Sequence, residues 1–190
     1  MRRGGSCWRT NTGCSRAAVA QPVVLGRTPR LLLCQPAVTD ADALFAFMGD
    51  AEAMRYTQRI ESPAQMRERL AAHEAQRSRV GYAPWTLRRI AEGDVVGWGG
   101  IYDDPFDPGW GLEVAYFFAP QVWGQGYASE LVAESARQAD IAGLPRLRAF
   151  SHPSNRPSQR VLEKSGFRCV GFVAPMNRQL YERTADSGGG

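Results

Sequence analysis

The stretch from Phe118 to Glu130 reads F-A-P-Q-V-W-G-Q-G-Y-A-S-E and is the most informative part of the chain for predicting its architecture. An apolar, strand-like run, Val114 to Phe118, leads into it. A helical pattern follows, in which one face carries Ala128, Leu131, Val132, Ser135 and Ala139. The predicted order is therefore strand, glycine turn, helix.

The two glycines of this turn predict an anion site. Gly124 and Gly126 tolerate a positive φ and let main-chain N–H groups approach a ligand closely. The start of the following helix adds unpaired N–H groups, which favours a phosphate or pyrophosphate. Two alternatives are a purely structural turn and a dinucleotide site. The dinucleotide pattern G-x-G-x-x-G breaks at Ser129.

Two segments resemble one protein family. Gln121-x-x-Gly124-x-Gly126 resembles the acyl-coenzyme A loop, Q/R-x-x-G-x-G/A, of the GCN5-related N-acetyltransferases (GNAT), and its surroundings are most similar to the subgroup that acetylates ribosomal-protein N-termini. About thirty residues later, the chain is similar to the family segment N-x-x-S/A-x-x-[VL]-x-E-K-x-G-F, which here reads Asn155-x-x-Ser158-x-x-Val161-Leu162-Glu163-Lys164-x-Gly166-Phe167. The resemblance extends from about Arg30 to Arg183.

The resemblance implies an α+β fold with a mixed sheet of about seven strands and about four helices. The fourth and fifth strands, residues 113–118 and 147–151, splay apart in such a fold. The pantetheine arm of acetyl-CoA would lie in that gap, and no metal is implied. The implied binding residues are Phe118, Gln121, Val122, Trp123, Gly124, Gln125, Gly126, Tyr127, Ala128, Asn155 and Ser158.

Acetyl transfer to an amine requires a group that accepts the amine proton. Glu113 lies just before the implied splay among apolar and aromatic neighbours, which would raise its pKa. Family precedent favours a catalytic base over a solvated strand glutamate. Many family members place a tyrosine, as the general acid, at the position where this chain has Leu162. Ser158 is the nearest substitute and Tyr127 a weaker one. The alternatives are that Ser158 is only part of the first helical turn and that a thiolate leaves without a dedicated acid.

An acidic, aromatic loop separates the third and fourth strands of this scheme. It is suited to attracting a cationic amine, although a solvated loop is the simpler interpretation. Its residues are Asp103, Asp104, Phe106, Asp107 and Trp110. His73 and His152 match no recognisable catalytic arrangement.

Charge and composition narrow the function classes. The 190 residues carry a formal charge of +4, but residues 1–27 hold five of the 23 basic residues and no acid. The remainder has 18 basic against 19 acidic residues, a net charge of −1, which disfavours nucleic-acid binding. No apolar run suits a membrane span. Cysteine spacing fits reduced thiols in a cytoplasm rather than a metal site.

The chain divides into three predicted regions. Residues 1–27 form a basic, disordered tail, residues 28–184 a single N-acetyltransferase domain, and residues 185–190 a loose C-terminus. Local signals predict a helix cap with Thr39 and Asp42, a second cap at Ser62, a β-hairpin over residues 85–102, and a fourth helix capped by Asn155.

These observations predict a cytoplasmic N-acetyltransferase that moves an acetyl group from acetyl-CoA to a primary amine. The acceptor is a protein N-terminus or a small-molecule amine. The alternatives are a non-catalytic acyl-CoA-binding module of the same fold and a nucleotide-binding oxidoreductase. No nucleic-acid or membrane partner is expected. Family members often dimerise, so the resemblance allows a homodimer and leaves the oligomeric state open.

Overall fold

The computed structural model describes residues 21–184 and has one mixed sheet with helices on both faces. This is the expected α+β fold. The strands are β1 Val24–Arg27, β2 Leu31–Cys34, β3 Trp85–Arg89, β4 Val95–Tyr102, β5 Glu113–Phe118, β6 Arg146–Ser151, β7 Arg168–Val173 and β8 Arg178–Thr184. The helices are α1 Ala41–Met48, α2 Pro63–Val80, α3 Tyr127–Ile141 and α4 Arg156–Lys164.

The sheet has eight strands, where about seven were expected, because β1 lies in the segment assigned to the disordered tail. Its residues pair antiparallel with β2. The Thr28 turn holds the two strands together through a 2.9 Å bond from the Thr28 N–H to the Leu31 carbonyl. The folded part therefore begins before residue 28, and the tail boundary moves toward the N-terminus. Residues 1–20 and 185–190 lie outside the described residues, so their predicted disorder stays a prediction.

The strand order β1-β2-β3-β4-β5-β6-β8-β7 contains one parallel neighbour pair, β5 and β6. All other neighbours are antiparallel and pair along most of their length. β5 and β6 share a single register pair, Glu113 with Arg148, supported by a 3.1 Å bond from the Arg148 N–H to the Leu112 carbonyl. Beyond this pair the two strands separate, which confirms the predicted splay.

The helices form one layer on each face of the sheet. α1 and α2 pack on the face that carries Trp98 and Phe117. α3 and α4 cover the opposite face, where Val114 and Phe118 point. Residues 113–118 thus alternate between the two layers, as a strand must.

Helix starts follow local chemistry at α2 and α4 but not at α1. The Ser62 hydroxyl accepts a bond from the Gln65 N–H at 3.2 Å, as predicted. The predicted cap with Thr39 and Asp42 is wrong, because a 3-10 turn, Val38–Asp40, precedes α1. There the Asp40 carboxylate accepts from the Ala37 N–H at 3.0 Å and pairs with Arg88.

Candidate active site

The glycine turn after β5 presents its backbone to solvent. Gly124 has φ +74° and Gly126 φ +85°, so both need the left-handed region that glycine tolerates. Gly126 is the N-cap of α3 and brings no side chain to cap it. The N–H groups of the first helical turn are therefore left available to an anion.

Arg30, which directly precedes β2, contacts this glycine turn and holds it in place. Its Nη1 donates to the Gln125 carbonyl at 2.9 Å, and its Nε donates to Glu130 at 2.7 Å. The guanidinium also lies 4.4 Å from the centre of the Tyr127 ring. Glu130 in turn accepts from the Thr28 hydroxyl. These contacts join residues about a hundred positions apart, and no local pattern in the sequence signals them.

The residues expected to bind the coenzyme fall into two groups. Phe118, Val122 and Tyr127 are buried together in the core beneath α3, where they support the turn. Gln121 and Gln125 are exposed, and the Gln125 amide donates to the Gln121 carbonyl at 3.1 Å. Ala128 is half-buried in the first turn of α3.

Trp123, also expected at the coenzyme, takes part in a stack at the open end of the gap. Its Nε1 donates to the Phe118 carbonyl at 2.7 Å, which fixes the indole beside the end of β5. The Arg55 guanidinium lies 5.5 Å from the Trp123 ring and 4.8 Å from the Tyr56 ring. Tyr56 stacks on His152, with ring centres 5.2 Å apart, directly after β6. This stack links the ends of the two splayed strands.

Asn155 and Ser158 lie at the start of α4, as predicted. The Asn155 Oδ1 accepts from the Ser158 N–H at 3.3 Å, which confirms the cap. The cap uses only the side-chain oxygen of Asn155, so its amide NH2 group takes no part in it. The helix ends with an N–H bond from Phe167 to the Leu162 carbonyl at 3.1 Å, as the S-G-F sequence predicts.

Tyr116 on β5 is a functional candidate that the sequence analysis missed. Its hydroxyl lies 2.9 Å from the Ser158 Oγ and 3.1 Å from the Ser158 carbonyl, so it crosses from β5 to α4. Burial raises the pKa of Tyr116 far above its usual value, which keeps the phenol protonated. The sequence offered one signal for this residue. Leu162 occupies the position where many family members have a tyrosine, so a phenol near the site had to come from another element.

Glu113 occupies the one register pair between β5 and β6 and is 6% exposed. Burial, together with the charges of Asp104, Asp107 and Asp103, raises its pKa to about 8 against the opposing charge of Arg148. Within residues 21–184 no hydrogen bond to its carboxylate is found. A carboxyl group with this pKa can accept a proton near neutral pH.

Glu113 and Ser158 lie on opposite faces of the sheet. Glu113 is three positions from Tyr116 along β5, so their side chains point to different layers. Ser158 meets Tyr116 on the face covered by α4. A ligand could reach both groups only through the gap between β5 and β6, which identifies that gap as the candidate active site.

The acidic loop contacts two different elements. Asp103 and Asp104 directly follow Tyr102, the register partner of Glu113, and the Phe106 ring lies 5.8 Å from the His73 ring. The Trp110 ring packs edge-on against Phe150 of β6, with ring centres 5.1 Å apart. The expected role of this loop in attracting a cationic amine stays a prediction.

Metal-binding groups and membrane-spanning helices are both absent from the described residues. Between residues 21 and 184, no group of His, Cys, Asp or Glu side chains is arranged to hold a metal ion. No helix in that range is long and apolar enough to cross a bilayer. Cys34 and Cys169 are free thiols.

Known proteins provide an independent comparison. The model of the acetyltransferase (GNAT) domain family matches residues 30–168. YoaA, an uncharacterized N-acetyltransferase of Bacillus subtilis, is 29% identical over 152 residues, which are 77% of this chain and 84% of YoaA. An acetyltransferase structure from Agrobacterium tumefaciens is 23% identical with a TM-score of 0.72, covering 88% of this chain and 98% of that one.

A third comparison carries a ligand. The structure of RimL, a ribosomal L7/L12 alpha-N-protein acetyltransferase in complex with coenzyme A, is 16% identical and has a TM-score of 0.71. The match covers 86% of this chain and 99% of that one. At this identity the similarity shows a shared fold.

Proposed function

Because this chain belongs to the GNAT acetyltransferase family, we propose that it is an N-acetyltransferase. It would transfer the acetyl group of acetyl-CoA to a primary amine, which is a protein N-terminus or a small-molecule amine. The observation that carries the proposal is the glycine-capped α3 beside a sheet that opens at Glu113. Family membership argues against a nucleotide-binding oxidoreductase.

The turn and the gap together form the proposed donor site. The N–H groups at the start of α3 suit the pyrophosphate, because they carry the positive end of the helix dipole. The splayed halves of β5 and β6 leave strand-edge peptide groups that suit the amides of pantetheine. The Asn155 amide group borders the same gap. Coenzyme A in the RimL structure supports this assignment.

Glu113 is the proposed general base. The attacking nitrogen must lose a proton as its bond to the thioester carbon forms and the carbon–sulfur bond breaks. Glu113 accepts that proton, directly or through water, and releases it to solvent afterwards. Its raised pKa matches the task, because a base is most useful when its pKa lies near the working pH.

Ser158 is the proposed partner of the departing sulfur. When Tyr116 donates its hydroxyl hydrogen to the Ser158 Oγ, the Ser158 hydrogen is free to bond the thiolate. The thiolate then takes a proton from solvent through Ser158. Tyr116 acts as a positioning residue in this scheme, and its raised pKa prevents it from ionising.

Location and assembly complete the proposal. The cytoplasm is the proposed site of action, where free thiols such as Cys34 and Cys169 persist. A homodimer is the proposed assembly, and light scattering in solution would test it.

The function is tested by mixing purified protein with acetyl-CoA and a panel of amines and following the release of free coenzyme A thiol. We expect acetyl-CoA to raise the melting temperature and at least one amine to release thiol. A protein that binds acetyl-CoA but releases no thiol would be the non-catalytic acyl-CoA-binding module. A protein that shows neither response would refute the proposed function.

A further inference from the structure

The proposed base Glu113 and the three loop aspartates near it, Asp103, Asp104 and Asp107, have no ion-pair partner among the described residues, and this unpaired negative charge points to the acceptor. We propose that the acceptor amine carries a second positive charge, held by Asp104 and Asp107 with Asp103 while the reacting nitrogen lies at Glu113. The inference rests on the proposed function and names the substrate class of the same site. The class is a dication, meaning an amine with a further protonated nitrogen.

The unpaired negative charge is concentrated at this site. Most acidic side chains within residues 21–184 pair with arginines, as expected for a chain so rich in arginine. The paired acids are Asp40, Asp42, Glu52, Glu61, Glu74, Glu92, Asp94, Glu130, Glu134, Asp140 and Glu182. In the same range, neither Glu113 nor any of the three loop aspartates has a basic partner within 4.0 Å. The arginines thus neutralise much of the rest of the surface and leave this site negative.

The four carboxylates converge on one place although the chain separates them. Tyr102 at the end of β4 is the register partner of Glu113 at the start of β5, and Asp103 and Asp104 follow Tyr102 directly. The Asp104 carboxylate accepts a bond from the Phe106 N–H at 2.9 Å, which turns the loop back on itself. The charges of Asp104, Asp107 and Asp103 all raise the pKa of Glu113, as expected for carboxylates within electrostatic range of it. Arg69 and Arg148 are the cations that oppose this field, and both act from beyond ion-pair distance.

Phe106 supplies an aromatic face within the same cluster. Its side chain is 53% exposed, and the Arg69 guanidinium lies 4.5 Å from the ring centre. The ring therefore already accepts a cation in this structure. A ligand ammonium group could use the same type of contact between the aspartates.

A buried histidine beneath the loop gives a second, independent sign of a ligand. His73 is 1% exposed, and neither ring nitrogen has a hydrogen-bond partner among the described residues. Its ring contacts Trp98, Tyr102 and Phe106, and the last two of these residues flank Asp103 and Asp104 in the chain. Unsatisfied buried polar groups are rare and commonly mark a functional site. A neutral imidazole offers one acceptor nitrogen, which suits an ammonium N–H.

The reacting nitrogen alone does not explain the negative charge of the three aspartates. It must be unprotonated when it attacks, so its own charge cannot hold it in the reactive complex. A second, permanently protonated nitrogen keeps its attraction to the aspartates throughout the reaction. Two sources offer this chemistry, a small diamine and the N-terminus of a peptide with a nearby lysine.

The test uses matched acceptors that differ only in the second charge. The small-molecule pair is 1,4-diaminobutane and 1-aminobutane, and the peptide pair is Ala-Lys-Ala-Ala and Ala-Gln-Ala-Ala. We expect kcat/KM to favour the dication by about tenfold or more in at least one pair, because a focused field of one sign raises association rates by this order. The pair that shows the preference identifies the source. Added KCl should reduce the preference by screening.

Two variants make the test specific. The double substitution Asp104→Asn with Asp107→Asn removes two charges, and the asparagine at 104 keeps an acceptor for the Phe106 N–H that Asp104 bonds at 2.9 Å. We expect it to bring the ratio of kcat/KM values close to one. Glu68→Gln is the matched control, since Glu68 is exposed on α2 and lies outside the cluster. It should leave the ratio unchanged.

A binding measurement separates failure of this inference from failure of the proposed function. The protein is loaded with coenzyme A and titrated in a calorimeter with 1,4-diaminobutane and with the lysine peptide. Without thiol release from any amine, binding of either dication that depends on Asp104 and Asp107 would still support the inference. The inference is overturned if dication and monocation differ by less than about twofold in both pairs. Absence of both turnover and dication binding also overturns it.

Discussion

At the scale of single residues, Glu113 gives the sharpest prediction. As a base it must be ionised, so kcat/KM should rise with pH and level off above about 8, the pKa to which burial raises this group. Glu113→Gln should lower kcat by about a hundredfold or more and leave the affinity for acetyl-CoA unchanged. Steady-state kinetics over pH with a binding titration provides the measurement. A Gln variant with unchanged kcat would rule out the base.

The same carboxylate should destabilise the folded protein at neutral pH. Its pKa rises from 4.5 when exposed to about 8 when folded, so the folded state binds the extra proton between these values. Stability therefore falls as pH rises through this window. Glu113→Gln should remove this loss and raise the free energy of unfolding above that of the wild type at pH 8, with no such gain at pH 4. Urea unfolding at both values, with Glu68→Gln as control, tests the sign.

Tyr116 offers a second test at this scale. Tyr116→Phe removes the hydroxyl that lies 2.9 Å from the Ser158 Oγ, so Ser158 should lose its orientation. We expect kcat to fall by about tenfold with little change in the KM for acetyl-CoA, and stability to fall by about 1 kcal/mol. Tyr181→Phe is the control, because it also deletes a buried tyrosine hydroxyl bond, to Gln179 at 3.3 Å. An equal loss of kcat in both variants would contradict a role for Tyr116 in the reaction.

Among the structural elements, α3 carries a glycine in the left-handed region near each end. Gly124 and Gly143 have φ +74° and +64°, and an added Cβ would meet no atom within 4 Å at either position. Alanine at either should therefore cost a similar free energy, about 1 kcal/mol of backbone strain. Only Gly124→Ala should also weaken acetyl-CoA binding, because only that turn presents N–H groups to the gap. Equal affinity in the two variants would favour a purely structural turn.

The elements also show which features local sequence can predict. The hairpin of β3 and β4, the Ser62 and Asn155 caps and the end of α4 follow from neighbouring residues, so the sequence predicted them. The brace between Arg30 and Glu130 could not be predicted in this way, because it joins distant segments. The same holds for the contact of Tyr116 with Ser158. Strand β1 was missed because its short apolar run lies in a segment otherwise rich in Gly, Ser and Arg.

For the whole molecule, the edge of the sheet decides how much of the N-terminus is dispensable. Removing residues 1–27 deletes β1 and leaves β2 as the unpaired edge, so we expect the melting temperature to fall by several degrees. Removing residues 1–20 keeps β1 and should leave both melting temperature and activity unchanged. Differential scanning calorimetry of the two truncations provides the comparison. Identical curves would show that β1 adds nothing to stability.

The single register pair between β5 and β6 also divides the chain into two contiguous parts. The first five strands with α1, α2 and α3 precede the turn at Gly143, and β6, α4, β7 and β8 all follow it. A cut in that exposed turn would yield two fragments. Each would keep all its strand neighbours except at the boundary between β5 and β6, here called the seam. The fragments would reassemble mainly through side-chain packing around Val132 and Leu162. The fold is thus suited to a split reporter, in which a ligand spanning the seam would increase fragment complementation.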